Sequence, residues 1–516
     1  MRAFLITIVV ALCLCLTCFA QVQISGSFTG NTVWSSSGSI QAFPSSATVE
    51  QTAVIPFSCT NGTSNTCTWT LISGIGSVTS DGVYTAPASN GSATIRATLG
   101  SATKDVSITV SGTIPVATGD CASSYPNRGV GTFNSCNMNH QEVSAIVSRH
   151  WLTVIPTNYV AGQSGLIILF GGGGHGVTPT QTGQPCGPPQ GEVGGWAPYI
   201  HTVPSPAPVV VCPEGMFNPA LTQEKWDFVG ITTGSFSWSA GTEPNDPDFV
   251  RQLVLLTVRD LQLNAKKVYV ATEWPSGSFT SPMGIQFAAG NADLIAAIAT
   301  YNDSQMFGMT YNAVTATYTV ATTAQQHIGS TLPPPTEPIS VILEPGITTA
   351  AHGGVQDMCG TNLDITNGTL YHPDTIDTTM NYWDFTDQVT GHSYQPSNVG
   401  TSFCSGTYDS SNNGLPSSLQ VRKDTGGLLG TEVYAYRFKA NATGTPWCSF
   451  NWSGGDTLGC NNPGLGSKIA LDLRNSTCDF TSPCNAFMDA GTGPASASGY
   501  DPLGVFYKFF LTHSKP

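Results

Sequence analysis

Apolar strands alternate with a helical segment over residues 165–272, and this alternation restricts the fold more than any other feature of the chain. The strands are 165-GLIILF-170, 208-PVVVCPEG-215 and 267-KVYVAT-272, and the segment 248-DFVRQLVLLTVRDLQL-263 repeats apolar residues at helical spacing. Strands joined by helices are typical of domains built on parallel strands. The sequence therefore predicts an α/β domain with a mostly parallel sheet.

Residues 21–112 follow another pattern, in which short segments of alternating apolar residues are separated by Gly, Ser and Asn. This spacing without a helical period predicts an all-β sandwich. The segment 76-GSVTSDGVYTAP-87, downstream of Trp69, resembles that of bacterial immunoglobulin-like domains. The resemblance implies that Trp69 and Tyr84 are core and corner residues rather than a ligand platform.

The domain organisation follows from these two patterns. Residues 113–150 are predicted to be a linker and lead-in, and residues 151–516 are assigned to the α/β domain. The aromatic-rich segment 503-LGVFYKFFLTH-513 is predicted to form a closing amphipathic helix.

Residues 1–20 have the composition of a secretory signal peptide. One basic residue precedes an apolar run, and Cys18 and Ala20 are small residues at the positions before a cleavage site. No later segment has an apolar run long enough to cross a bilayer. We expect a soluble protein that is secreted, periplasmic or held at the cell surface.

Charge and cysteine content restrict the partners. Charged residues make up 10% of the chain and the formal net charge is −14, which argues against nucleic acid and anionic membranes as partners. Three of the 15 cysteines lie within residues 1–20, and the even number that remains favours disulfides. Pairing of sequence neighbours would close six loops, although the connectivity stays open. No metal site and no cofactor are predicted.

The order of elements resembles the α/β-hydrolase fold, and more narrowly the secreted polyhydroxybutyrate depolymerase and feruloyl esterase group. The resemblance covers about residues 160–305, and its order of motifs is more specific than any one of them. It is carried by the glycine turn 171–174, 211-VCPEG-215, Trp226, Trp238, 246-DPDFVRQLV-254, 264-NAKKVYV-270 and 293-DLIAAI-298.

The resemblance implies a serine nucleophile on the turn that follows Thr272, but the G-x-S-x-G motif is absent there. Alignment on the preceding strand puts Pro275 at the serine position. Alignment from the following segment puts Ser278 there. Because Ser281 and Pro282 suit the start of a helix, Ser278 is the first candidate nucleophile and Ser276 the second.

The other catalytic parts are altered relative to the family. Gly171, Gly172 and Gly173 are the candidate oxyanion hole, with Phe170 where the family has histidine. Asp357 is the candidate acid. It comes shortly after His352-Gly353-Gly354, and the family's acid lies just after an H-G-x-x-D motif at this point in the order of elements.

The expected histidine base is absent after 433-VYAYRF-438, where the family has a G-H-x-W-P motif. His392 is the first substitute, with His372 and His352 behind it. The sequence thus predicts an exported carboxylic-ester hydrolase acting on an ester or polymer, with a degenerate or rearranged Ser-His-Asp site. The alternative is a non-catalytic, hydrolase-like protein that binds an extracellular polymer, glycan or partner.

Overall fold

The fold is taken from a computed structural model of the chain. The structure describes residues 39–131, 133–142, 145–170, 204–218, 223–225, 244–272, 280–301, 309–312, 317–320, 331–332, 335, 337–344, 383, 419–424, 426–438, 507 and 509–516. The candidate signal peptide, residues 1–20, lies outside these ranges.

Residues 39–113 contain strands and no helix, as the sequence predicts. The strands form a four-stranded sheet in the order β2-β9-β8-β5, a three-stranded sheet β3-β7-β6 and a two-stranded sheet β1-β4. They are β1 (Gln41–Phe43), β2 (Ser46–Gln51), β3 (Val54–Pro56), β4 (Ser58–Thr60), β5 (Thr68–Gly74), β6 (Ser77–Val78), β7 (Val83–Thr85), β8 (Gly91–Leu99) and β9 (Ala102–Thr113). We refer to them together as the β unit.

The β unit is closed around aromatic residues. Trp69 and Tyr84 are buried, which confirms that they are core residues, and the Trp69 ring lies 5.7 Å from that of Phe57. The Tyr84 hydroxyl donates a 2.8 Å hydrogen bond to the carbonyl of Ile75, so its polar end is satisfied at the turn. Gly82 has φ +97°, and a Cβ on it would lie 2.6 Å from the carbonyl oxygen of Phe57.

The rest of the described chain is an α/β unit built on one ten-stranded sheet in the order β10-β11-β12-β14-β13-β17-β18-β22-β24-β23. The five pairings from β14 to β24 are parallel, whereas β10 to β12 and β23 pair antiparallel. The α/β architecture is confirmed, and the sheet is mixed. Its strands are β10 (Ala117–Gly119), β11 (Phe133–Gln141), β12 (Ile146–Val154), β13 (Leu166–Phe170), β14 (Val209–Pro213), β17 (Val268–Thr272), β18 (Ala297–Tyr301), β22 (Ser340–Glu344), β23 (Leu419–Asp424) and β24 (Val433–Phe438).

Two small antiparallel sheets and two helices complete the described elements. One sheet pairs β15 (Met216–Asn218) with β16 (Gln223–Lys225), and the other has the order β19-β20-β21. The remaining elements are β19 (Met309–Asn312), β20 (Thr317–Val320), β21 (Thr331–Leu332), a short 3₁₀ turn (Asp120–Ala122), α1 (Asp246–Asp260) and α2 (Thr280–Gly290). No helix within the described ranges is long and apolar enough to cross a membrane.

The structure differs from the sequence prediction over residues 113–150. Strands β11 and β12 form a nine-residue antiparallel pair there and extend the main sheet. Their exposed positions carry Asn, Ser and Gln, which are rare in strands, so composition did not indicate a strand. The buried positions, among them Cys136 and Met138, do alternate with them.

Helix α1 confirms the predicted helical stripe, with buried Phe249, Val250, Leu253, Val254 and Leu256. It ends at Asp260 rather than Leu263, because Gln262 has φ 52° and the Leu263 N–H turns back to the Val258 carbonyl at 2.9 Å. Leu255 and Val258 are buried as well, so α1 is apolar on more than one face.

Side chains of α1, together with Lys266 just before β17, contact the β unit. Gln252 donates a 3.0 Å hydrogen bond to the Glu50 carboxylate, and Arg259 donates one of 3.3 Å to the Thr52 hydroxyl. The Lys266 ammonium contacts the carbonyl of Asp81 and lies 3.5 Å from its carboxylate. Polar contacts therefore join the β unit to the α/β unit.

Residues 509–516 run across the sheet at the amino ends of its parallel strands. The Tyr269 hydroxyl donates to the His513 carbonyl at 2.8 Å, and the Lys515 N–H donates to the Lys266 carbonyl at 2.9 Å. Lys515 and Glu337 form a buried ion pair of 2.7 Å. Residues 507 and 509–512 are helical with Phe509 and Phe510 buried, in agreement with the predicted amphipathic segment.

Two disulfides pair sequence neighbours, Cys59 with Cys67 and Cys121 with Cys136. Cys212 is disulfide-bonded too. The expectation that the cysteines form disulfides is confirmed for these five.

Candidate functional site

The candidate site is expected at the carboxyl edge of the parallel strands. The parallel strands β13, β14 and β17 end side by side at Phe170, Pro213 and Thr272, and the carboxyl ends of such strands are where open α/β sheets bind ligands. All the predicted catalytic residues lie outside the described ranges, namely Gly171, Gly172, Gly173, Ser276, Ser278, Asp357 and His392. Their roles stay predictions.

The elements on either side of the candidate nucleophile are described. Strand β17 ends at Thr272 and helix α2 begins at Thr280, so Ser278 belongs to the connection between them. The helix starts slightly earlier than the Ser281 cap that the sequence predicts. Pro282 still falls in the first turn, where its missing N–H removes no helical hydrogen bond.

Close packing holds the start of α2 against the sheet. A Cβ at Gly284 would collide with the methyl group of Thr272 and lie 3.3 Å from the Phe170 ring. Phe170 is buried, and its ring centroid lies 5.9 Å from that of Phe287. The residue at the family's histidine position is thus part of the apolar core, and glycine at 284 lets the helix approach two strand ends.

A hydrogen-bonded Ser–His–Glu chain lies near this edge, on strands that the sequence analysis did not assign. The Ser135 hydroxyl oxygen on β11 is 2.8 Å from Nε2 of His150 on β12. Nδ1 of His150 is 2.6 Å from a carboxylate oxygen of Glu214, the residue that follows β14. We call these three residues the surface relay.

Neighbouring strands position the surface relay. His150 and Glu214 stand opposite each other where β12 pairs with β14, and the Glu214 N–H donates to the His150 carbonyl at 3.1 Å. Arg149 donates to the Glu214 carbonyl at 3.2 Å. The Ser135 N–H donates to the Asp120 carboxylate at 2.9 Å. The backbone on both sides of the relay is therefore held by hydrogen bonds.

The opposite face of β11 and β12 carries a buried ionic cluster. Glu142 accepts hydrogen bonds from His140 at 3.0 Å, from Arg149 at 2.9 Å and from the Asn245 N–H at 2.5 Å. Arg149 also reaches Asp246 at 2.5 Å, and His140 reaches Asp248 at 3.0 Å. We call these contacts the Glu142 cluster; they tie the strand pair to the start of α1.

Electrostatics in the Glu142 cluster is dominated by its hydrogen bonds. Burial raises the pKa of Glu142, but its bonds to His140, Arg149 and Asn245 outweigh burial and lower the pKa to about 2. Burial lowers the pKa of His140, but its bonds to Asp248 and Glu142 outweigh burial and raise the pKa. Glu142 is therefore a carboxylate at neutral pH, and the cluster serves to fix structure.

No local motif in the sequence marks the surface relay. Ser135, His150 and Glu214 are far apart in the chain, and only the pairing of β11, β12 and β14 brings them together. The period-2 alternation of β11, with Cys136 and Met138 on one face and Ser135 on the other, was the available indication. Within the described ranges, no group of three or more His, Cys, Asp or Glu side chains could hold a metal ion.

Comparisons with known proteins complete the description of the site. No protein-family model matches the chain, and no curated protein matches it. Among solved structures, an S-formylglutathione hydrolase from Agrobacterium tumefaciens matches with 9% identity and a TM-score of 0.29, covering 50% of this chain and 86% of that one.

Two further solved structures match to a similar extent. A protein titled sOPH matches with 12% identity and a TM-score of 0.30, covering 51% of this chain and 80% of that one. A putative acetyl xylan esterase from Bacteroides fragilis matches with 12% identity and a TM-score of 0.25, covering 42% and 60%. All three TM-scores are below 0.5, so these similarities do not define the fold of this chain.

Proposed function

We propose that the protein is an exported carboxylic-ester hydrolase of the α/β-hydrolase type. The observation that carries the proposal is the connection from β17 to α2, since β17 lies in the middle of the ten-stranded sheet and Ser278 belongs to the residues that follow it. A serine between a central parallel strand and a helix is the arrangement of the nucleophile in α/β-hydrolases.

The chain order of the other candidates supports the same proposal. Ser278, Asp357 and His392 follow one another along the chain, which is the order serine, acid, histidine of α/β-hydrolases. Asp357 follows β22 and precedes β24, strands that pair in parallel next to each other. In this proposal Asp357 orients the base, and the backbone of Gly171, Gly172 and Gly173 binds the oxyanion.

The reaction would follow the serine-hydrolase scheme. Ser278 attacks the ester carbonyl, the histidine base takes its proton and passes it to the leaving alcohol, and water then releases the acid. His392 is the proposed base because the position after β24 has none.

The experiment is hydrolysis of a short-chain nitrophenyl ester by the full-length protein and by Ser278→Ala. We expect the rate of the variant to fall at least about 100-fold, because the acyl acceptor is removed. Ser276→Ala distinguishes the second candidate, and Ser148→Ala, an exposed serine on β12, is the matched control. Equal rates for Ser278→Ala and the parent protein would exclude Ser278 as nucleophile.

The alternative is a non-catalytic, hydrolase-like protein that binds an extracellular polymer, glycan or partner. Burial of Phe170 where the family has histidine favours it. Inactivity of the parent protein on esters, together with binding to a polymer, would support this alternative. We also propose that residues 1–20 direct export and that the β unit is immunoglobulin-like, on the sequence patterns given above.

A further inference from the structure

We propose that the surface relay of Ser135, His150 and Glu214 is a second nucleophilic site, distinct from Ser278, that hydrolyses accessible esters of short acyl chains. The proposal rests on the geometry of described residues and holds whether or not Ser278 is catalytic. It goes beyond the proposed function, because it assigns chemistry to strands β11, β12 and β14.

The hydrogen bonds of the surface relay have the geometry of an activated serine. A serine within hydrogen-bond reach of a histidine, which is itself oriented by a third group, is the structural signature of an activated nucleophile. Here the two links measure 2.8 Å and 2.6 Å. The two links end on different ring nitrogens of His150, so one imidazole connects Ser135 to Glu214.

The buried Glu214 side chain sets the hydrogen-bond roles of the two His150 ring nitrogens. The Glu214 side chain is 3% exposed, and its Oε1 is buried without a hydrogen-bond partner among the described residues. A buried carboxylate with one unpaired oxygen gains from any positive charge near its other oxygen. A carboxylate oxygen only accepts hydrogen bonds, so Nδ1 of His150 donates to Glu214 and Nε2 is left to accept from the Ser135 hydroxyl.

A substrate can reach the surface relay from solvent. Ser135 is exposed, and the His150 side chain is 24% exposed, so a substrate can reach the serine oxygen beside its base. The exposed face around the relay carries Asn139, Ser148 and Ile146 on the two strands. This flat strand surface suits an ester that protrudes from a polymer or a small soluble ester more than a long acyl chain, which requires an apolar pocket.

Stabilisation of the oxyanion has one candidate on the same face. The Ser135 N–H already donates a hydrogen bond to the Asp120 carboxylate, so it cannot also stabilise the oxyanion. Asn137 is directly opposite His150 in the strand pair and two residues from Ser135, so its side chain shares their face. An asparagine amide is a known type of oxyanion donor, and we assign this role to Asn137.

Ester hydrolysis at Ser135 requires no cofactor. The Ser135 oxygen bonds to the ester carbonyl carbon, the carbonyl π pair moves to oxygen, and the serine proton moves to Nε2 of His150. The carbon–alkoxide bond then breaks and the alkoxide takes that proton. Water repeats the sequence on the acyl-serine, returns a proton to Ser135 and releases the carboxylic acid.

The experiment uses the full chain in a background that carries both Ser276→Ala and Ser278→Ala, which removes the two candidate nucleophiles between β17 and α2. A fluorophosphonate probe is added, and the modified serine is identified by peptide mass mapping. We expect labelling at Ser135, and loss of that labelling when Ser135→Ala is added. Ser148→Ala in the same background is the matched control, because Ser148 is also exposed on this strand pair and should leave the labelling unchanged.

Ester turnover gives a second readout in the same background. We expect Ser135→Ala to lower kcat for p-nitrophenyl acetate by at least about 100-fold, because the nucleophile that forms the acyl intermediate is removed. Glu214→Gln keeps the shape of the side chain but removes its charge, so kcat should fall with KM little changed. Circular dichroism and the thermal midpoint of each variant separate this effect from misfolding.

The outcomes separate the two sites. Labelling or turnover that is unchanged by Ser135→Ala would overturn the surface relay as a site, whatever Ser278 does. Loss of all ester turnover in Ser278→Ala, with no labelling of Ser135, would leave the proposed function standing and reject the relay. A rate that is undiminished in Ser278→Ala and disappears with Ser135→Ala would establish the relay and reject Ser278.

Discussion

Gly82 shows at the scale of one residue how closely the β unit is packed. Its backbone has φ +97°, and a Cβ would meet the Phe57 carbonyl at 2.6 Å and the Trp69 ring nitrogen at 2.7 Å. Both neighbours belong to the core, so neither can move without cost.

Gly82→Ala is therefore expected to lower the free energy of unfolding by about 3 kcal/mol, from a left-handed backbone and a steric clash together. Gly62→Ala is the matched control, since Gly62 has φ +82° but nothing within 4 Å of an added Cβ. It should cost about 1 kcal/mol from the backbone alone. Urea unfolding measures both, and equal losses would contradict the close packing at Gly82.

Individual residues differ in how far the sequence predicts them. Trp69 and Tyr84 were predictable because a turn pattern and a large apolar side chain indicate burial together. The link between Ser135 and His150 was not, because it depends on the register of two strands with polar exposed faces. The predicted catalytic residues lie outside the described ranges, so they remain predictions.

The Glu142 cluster acts at the scale of elements, because it joins the β11–β12 connection to the start of α1. Asn245 is the N-cap of α1, and its side chain makes no capping hydrogen bond. The Glu142 carboxylate instead accepts the Asn245 N–H at 2.5 Å. One side chain thus compensates the positive helix terminus and the Arg149 charge.

We expect Glu142→Gln to lower the free energy of unfolding by about 3 kcal/mol near pH 5.5, because a buried ion pair loses one partner. The contribution of Glu142 is fully present above its ordinary pKa of 4.5 and is lost as the pH falls towards about 2. That of His140 is fully present below its ordinary pKa of 6.5 and is lost as the pH rises through its raised pKa.

Urea unfolding at several pH values measures this dependence. The parent protein should lose stability on acidification, whereas Glu142→Gln should show a flatter acid limb. Asp105→Asn, which breaks the exposed ion pair with Arg96, is the control and should change the acid limb much less than Glu142→Gln does, because water screens this pair. An acid limb equally steep in Glu142→Gln and the parent would contradict the assignment.

Elements were predictable where their hydrophobic period was strong. Helix α1 and strands β13, β14 and β17 follow from their apolar residues alone. Strands β11 and β12 do not, because their stability comes from their pairing with each other, from the pairing of β12 with β14 and from the Glu142 cluster rather than from local preference. The elements that carry the surface relay were therefore not predictable from their own residues.

Residues 509–516 matter at the scale of the whole molecule, because they contact both units. Lys515 pairs with Glu337 next to β22, and the Pro516 carbonyl accepts a 3.3 Å hydrogen bond from Ser58 of the β unit. Both side chains of the ion pair are almost fully buried, at 4% and 2% exposure. This segment therefore links the sheet to the β unit.

Lys515→Ala should lower the free energy of unfolding by about 4 kcal/mol, because Glu337 is left buried without its partner. The double variant Lys515→Met with Glu337→Met should recover most of this loss, since apolar side chains of similar volume replace the pair. Thermal unfolding followed by circular dichroism measures both. A double variant as unstable as the single one would show that the charges themselves hold the segment.

The same segment affects how the chain folds. The hydrogen bond from Tyr269 to His513 joins residues separated by 244 positions, whereas β8 and β9 pair within the range 91–110. Loop closure costs only about 0.6 kcal/mol more for each doubling of loop length, so such distant contacts can be stable at equilibrium. They nevertheless form slowly, because long-range contacts are made after local ones. The β unit should thus gain protection from hydrogen exchange early during refolding, and the Lys515 N–H, which donates to the Lys266 carbonyl, should gain it last.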